Sequence, residues 1–155
     1  MENLYHIAKI FDGKGLGCVA LNDIKKGTLI LREKPQCFVS QTDFSDGGIS
    51  KVRGLIESYN NMNEDDQDEY LKLYNKFKDL NFLTCEEKKH LEIQKKYLQE
   101  TFCMNPDQIN IFQETYGIYS SNAFEMGIGL KSSRFNHSCV SNAQVYWNEK
   151  YEARD

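Results

Sequence analysis

Two short runs of this chain hold residue types whose spacing can support chemistry. The first is Gly13-Lys14-Gly15-Leu16-Gly17. Glycines at alternate positions let a backbone take positive φ and bring its N–H and C=O groups close to a ligand. The second is Arg134-Phe135-Asn136-His137-Ser138-Cys139-Val140-Ser141-Asn142-Ala143, which crowds polar and metal-capable side chains into a few positions.

Each run also has a plainer reading. The glycines form an equally good hairpin turn, because a strand follows where a dinucleotide fingerprint would open a helix. The Gly-Lys-Ser or Gly-Lys-Thr ending of a phosphate loop is absent. His137 alone reads as a core histidine with its hydrogen bonds satisfied. A serine or cysteine nucleophile beside it would need a base from elsewhere, since neighbours in sequence rarely face each other productively. Asn136-His137-Ser138 fits the glycosylation rule, but Met1 to Gly13 carries polar residues throughout and no apolar signal core, so that reading falls away.

The elements that must position these runs follow from pattern. Leu4–Ile10, Leu16–Leu21 and Thr28–Arg32 are rich in apolar and β-branched residues and are cut by Gly13, Gly15, Gly17 and Gly27, which predicts a small β-meander. From about Ser50 to Met104 glycine and proline become scarce and apolar residues recur at helical spacing. Val52, Leu55, Ile56 and Tyr59 mark one stretch, Tyr70, Leu73, Tyr74 and Phe77 a second, and Leu91, Leu98 and Phe102 a third. Thr84 with Glu87 predicts a capping box, and Asn105-Pro106 a capped start for a helix to about Tyr119 with Ile109, Phe112, Tyr116 and Tyr119 inward. The five acids between Glu64 and Glu69 read as a solvated face or a helix start. Strand signals return after Ser120, at Gly127, Gly129 and Ala143–Trp147. The order β, α, β predicts an α+β chain with a helical block inserted into a β-rich fold.

Composition bounds the function. At 155 residues, with 40% hydrophobic and 12% aromatic content, the chain suits one domain rather than two, and it is too rich in large rings to be disordered. Nineteen basic residues against 23 acidic ones give a net charge of −4, which argues against direct nucleic-acid binding. No run of 18 apolar residues occurs, so no membrane partner is expected, and the expected location is the nucleus or the cytoplasm. Five widely spaced cysteines with no Cys-x-x-Cys pair predict no metal site, and most of them are expected to be small buried residues.

Taken together, the two runs resemble the SET-domain protein-lysine methyltransferases. Gly13 to Gly17 followed by "CVALNDIKKGTLILREKP" looks like the first signature motif of that family. "RFNHSCVSN" is similar to the third, R/L-x-N-H-S-C-x-P-N, and departs from it only at Ser141, which replaces a proline. "SSNAF" with "MGIGLKSSRFNHSC" resembles the split-SET, SMYD-like and fungal types, and "DQDEYLKLYNKF" is similar to the insert of the fungal type, without a MYND finger. The resemblance implies one β-rich SET-like domain over residues 1–155, with a helical insert at about 50–104.

It also implies a cofactor, S-adenosylmethionine, and a protein partner bearing the target lysine, a histone or another protein. Lys14, Gly15, Leu16 and Gly17 match the loop that holds the cofactor's amino-acid end. Asn122 matches an asparagine that bonds the same moiety. Asn136 and His137 match the pair that bonds the adenine and the ammonium. Cys139 matches a position that in some members shares zinc with three later cysteines, which these residues do not include. The family's I-x-x-G-E-E-L-x-x-x-Y run, with the catalytic tyrosine, falls beyond Asp155, so no catalytic residue is assigned. Two readings follow: a lysine methyltransferase lacking its last motif, or an inactive truncated SET protein that binds cofactor or protein partners.

Overall fold

Among the described residues the regular structure consists of short strands, one 3-10 turn and four helices, of which three begin with a side-chain cap. The computed structural model describes residues 4–10, 15–37, 49–78, 81, 83–124 and 127–155. It divides into two compact units, residues 1–36 with 129–155, and residues 37–128.

In the first unit, β1 (Tyr5–Lys9) and β2 (Leu16–Ala20) pair antiparallel, with Tyr5 opposite Ala20 and Lys9 opposite Leu16. The expected third strand at Thr28–Arg32 does not form. The chain there makes one bridge, between Glu33 and Arg154, so the meander is a hairpin. The unit continues through a 3-10 turn, Ser132–Arg134, to a second small sheet made of β3 (Trp147–Asn148) and β4 (Ala153–Arg154). The strand expected over Ala143–Trp147 is therefore reduced to its last residue and Asn148. Arg32 clips this hairpin: its Nε and Nη2 donate to the two carboxylate oxygens of Asp155 at 2.5 and 2.6 Å, and its guanidinium lies 3.9 Å from the centre of the Tyr151 ring.

Among its described residues the second unit holds four helices, α1 (Ile49–Asn60), α2 (Glu64–Leu71), α3 (Cys85–Phe102) and α4 (Pro106–Asn122). The stretch 50–104 lies within it. Thr84 and Glu87 form the expected capping box. Asn105 makes a second one with Gln108, which the sequence reading placed only as a cap before proline. The acidic run proves to be a helix start: Asn63 accepts from Asp66 N at 2.8 Å, and Glu64, Asp65 and Asp66 lie in the first turn, where the helix dipole favours negative charge. This corrects the second predicted helix. Its apolar residues Leu73, Tyr74 and Phe77 lie beyond the end of α2, because Lys72 closes the last turn. Leu55, Tyr70, Leu98, Ile109, Phe112 and Ile118 are buried here, and burying a side chain of this size stabilises by about 1.5–3 kcal/mol. Tyr70 donates its hydroxyl to Thr115 O at 2.9 Å, so its polar end is satisfied inside the core.

Among the described residues, small antiparallel sheets together with four helices make the chain α+β, as the element order predicts. No described helix is long and apolar enough to cross a membrane. The cysteines differ from expectation: Cys37 is buried and Cys18 half-buried, but Cys85, Cys103 and Cys139 are exposed. Two of these three sit at helix ends, Cys85 opening α3 and Cys103 closing it with φ 52°, where side chains point away from a core.

Candidate cofactor site

In the first unit β1, β2 and the 3-10 turn bring the two chemistry-bearing runs together. Gly15 has φ +70°, a left-handed conformation that suits glycine, and its carbonyl accepts from Ile10 N at 2.7 Å to close the hairpin. A Cβ on Gly15 would meet none of the described residues within 4 Å. Gly17 is the opposite case. It is buried, and a Cβ there would overlap Asn136 Nδ2 and come within 2.6 Å of Ile10 Cγ1. The absence of a side chain at Gly17 is what lets Asn136 reach the strand, and Asn136 Nδ2 donates to Leu16 O at 3.5 Å. Lys14 and Gly13 lie outside the described residues.

Asn136 follows directly from the 3-10 turn. Phe135 N donates to Ser132 O at 3.1 Å, and the Phe135 ring packs edge-on against Tyr5 of β1 with centroids 5.5 Å apart. The loop beyond is wet: residues 136–142 are all exposed, with Val140 at 89%. His137 Nε2 lies 3.6 Å from Cys139 Sγ. The core histidine considered from sequence is thus absent, and the imidazole faces solvent. Short side-chain bonds shape the loop, Ser138 Oγ to Val140 O at 2.9 Å and Ser141 Oγ to Ala143 O. Ser141, in the proline position of the resembled motif, supplies a turn-forming hydroxyl in its place.

Beneath the loop lie groups that sequence reading did not single out. Glu33 accepts from Lys131 N and Ser132 N, and Arg134, Arg154 and Ser132 are buried, with Arg154 Nη1 donating to Ser132 Oγ at 3.5 Å. No local signal marks a glutamate in "LREKP" as the partner of a turn about a hundred residues later. Cys18, on β2 of the same unit, has its thiol pushed up to about 11 by burial, with Glu33 adding to the rise and Arg134 opposing it. It is not a nucleophile at neutral pH.

Asn122 belongs to the second unit. It ends α4, where its Nδ2 donates to Tyr74 O at 2.6 Å and to Ile118 O at 2.7 Å. It thus ties the chain after α2 to the last turn of α4. Within the first unit, then, the structure joins Leu16 and Gly17 to Asn136 and leaves His137 beside them in sequence and exposed.

What such a set can do is hold a polar small molecule. It offers an exposed glycine turn, a carboxamide and an imidazole at the surface. Among known proteins, the family model described as SET domain matches residues 15–154. No curated protein and no solved structure matches the chain. A match spanning nearly the whole sequence, including Gly15–Gly17 of the first run and all of the second, places the chain in the SET-domain family, in general one of protein-lysine methyltransferases that use S-adenosylmethionine.

Proposed function

We propose that this chain is an S-adenosylmethionine-dependent protein-lysine N-methyltransferase domain, acting on a lysine of a histone or of another nuclear or cytoplasmic protein. The observation that supports the reading most is the close approach of Gly17 to Asn136, which joins two runs 119 positions apart at a spot where a Cβ would overlap the Asn136 amide. The donor set suits the cofactor. Exposed amide and imidazole groups at Asn136 and His137 match the hydrogen-bonding edges of an adenine and an ammonium, and the exposed glycine turn at Gly15 suits the amino-acid end. Lys14, next in sequence to Gly15, is by type a cation suited to that carboxylate. When bound, the cofactor supplies a methyl on sulfonium for transfer to a neutral lysine amine. The chain's own residues bind and orient it, so that displacement runs in line.

Calorimetric titration with S-adenosylmethionine tests the site. Loss of a hydrogen bond to a charged group costs about 1.5–3 kcal/mol, so Asn136→Ala and His137→Ala should each weaken binding roughly 10- to 150-fold. Unchanged affinity in both variants would refute the assignment. Transfer of a labelled methyl group to histones and to other lysine-bearing proteins then identifies the substrate class.

A further inference from the structure

The stretch that leads into Asn136 and His137 is held at its start by one carboxylate. Glu33 Oε1 accepts from Lys131 N at 2.9 Å and Oε2 from Ser132 N at 2.8 Å. These N–H groups open the 3-10 turn Ser132–Arg134, and the first donors of any helical turn find no partner within it. Glu33 is itself fixed by its backbone, which donates to Arg154 O at 3.0 Å and accepts from Arg154 N at 2.8 Å. Gly129 makes room for the carboxylate, because a Cβ at that position would overlap Glu33 Oε2 and Ser132 Oγ. The carboxylate therefore sits in a fitted seat, with both oxygens committed to backbone.

From that seat the path to the candidate site is short and rigid. Ser133 N donates to Gly129 O at 3.0 Å, and Phe135 N to Ser132 O at 3.1 Å. The Phe135 ring then meets Tyr5, and the next residue, Asn136, reaches Leu16 O. A shift of the turn would be passed on to Asn136 along the backbone, and with it would move the Nδ2 that lies over Gly17 and bonds Leu16 O. We infer that Glu33 is a positioning residue of the cofactor site: its carboxylate fixes the start of the turn and, through it, the reach of Asn136 toward Leu16. The inference rests on the reading of Asn136 and His137 as cofactor ligands.

The test uses Glu33→Gln, which keeps the length of the side chain but sets an NH2 group against one of the two backbone donors, and Glu33→Asp, which keeps the charge but shortens the reach. Tyr70→Phe in the second unit is the control, because it removes a buried hydrogen bond far along the chain from the turn. Three readouts are taken on folded protein: hydrogen exchange at Lys131 and Ser132, the side-chain amide resonances of Asn136, and affinity for S-adenosylmethionine. Exchange about tenfold faster, displaced Asn136 resonances and binding about tenfold weaker are expected in Glu33→Gln, with a smaller change of the same kind in Glu33→Asp and none in Tyr70→Phe. Asn136 resonances and affinity at wild-type values in both Glu33 variants would overturn the inference, as would an equal displacement in Tyr70→Phe. If Glu33→Gln does not fold, the same two outcomes are read on Glu33→Asp. Should the unaltered protein bind no S-adenosylmethionine, the functional reading fails on that result alone, while exchange and the Asn136 resonances still decide whether Glu33 positions the loop.

Discussion

Replacing Gly17 by alanine sets two physical effects of opposite sign against each other. Gly17 lies in β2 with no positive φ, so strand propensity alone predicts that alanine stabilises by about 0.5–1 kcal/mol through the loss of backbone freedom in the unfolded chain. The close approach says otherwise. The new methyl would overlap Asn136 Nδ2 and press on Ile10 Cγ1 at 2.6 Å, and overpacking of this kind costs about 1–3 kcal/mol. The net expectation is a destabilisation of about 1 kcal/mol by urea unfolding. How the strain relaxes decides the functional consequence. Ile10 is half-buried, whereas Asn136 is exposed and held to Leu16 O by one long bond of 3.5 Å, so Asn136 yields first and swings off the strand. Affinity for S-adenosylmethionine should then fall about tenfold although Gly17 offers no side chain to the ligand. The decisive measurement is a double-mutant cycle. With Asn136→Ala in place much of the overlap is gone, so adding Gly17→Ala should cost less than it does alone, by about 0.5–1 kcal/mol or more. Additive costs, or a Gly17→Ala protein more stable than the parent, would refute the steric argument.

Two further outcomes are expected. Gly54→Ala, in the interior of α1 with open space around a new Cβ, should raise the free energy of unfolding by about 0.5–1 kcal/mol in the same urea assay. Labelling of the folded protein at pH 8 with a thiol-reactive disulfide should modify Cys85, Cys103 and Cys139 promptly and spare Cys18 and Cys37. Burial pushes the Cys18 thiol up to about 11 and the Cys37 thiol up to about 12, against hydrogen bonds from Ser58 and Tyr70, so their thiolate fractions at pH 8 are about one in a thousand or less. Prompt labelling of all five thiols would show that the core around Cys37 is open. The same raised value has a linkage consequence, since stability held by the neutral Cys37 thiol is intact below the ordinary thiol range and is lost as pH rises through about 12.

What the sequence made legible depended on how local its cause was. The capping box at Thr84 and the start at Asn105-Pro106 are settled within four residues, and both form as expected. Leu55, Leu98, Ile109 and Phe112 face the core because helical period alone selects a face. The second helix was misplaced because Tyr70, Leu73, Tyr74 and Phe77 keep helical spacing while the chain leaves the helix at Lys72; periodicity records which residues are apolar, not where the turn stops. Thr28–Arg32 and Ala143–Val145 have strand composition without strand pairing, since pairing needs a partner edge that composition does not reveal. The two runs that could do chemistry were visible as runs. Their meeting at Gly17 and Asn136 was not, because it depends on a contact far along the chain.

The hidden part of the site is hidden for a physical reason. Among the described residues, the buried apolar side chains of the core belong to the second unit except for Ala153, whereas the first unit buries Ser132, Arg134 and Arg154. Its loop is therefore held by directional bonds rather than by apolar area: Glu33 to two backbone donors, Arg32 to both oxygens of Asp155, Arg154 to Ser132. Such bonds leave no periodic signature in a sequence, as an apolar stripe does. They also suit the task. Each is worth only about 0.5–1.5 kcal/mol net, or more where a charged group takes part, yet weakens steeply when its geometry departs from ideal. A loop that must present Asn136 and His137 to water while keeping one of them within reach of Leu16 cannot be anchored by burying those residues. It has to be aimed from beneath, and the carboxylate of Glu33 is the group placed to do so.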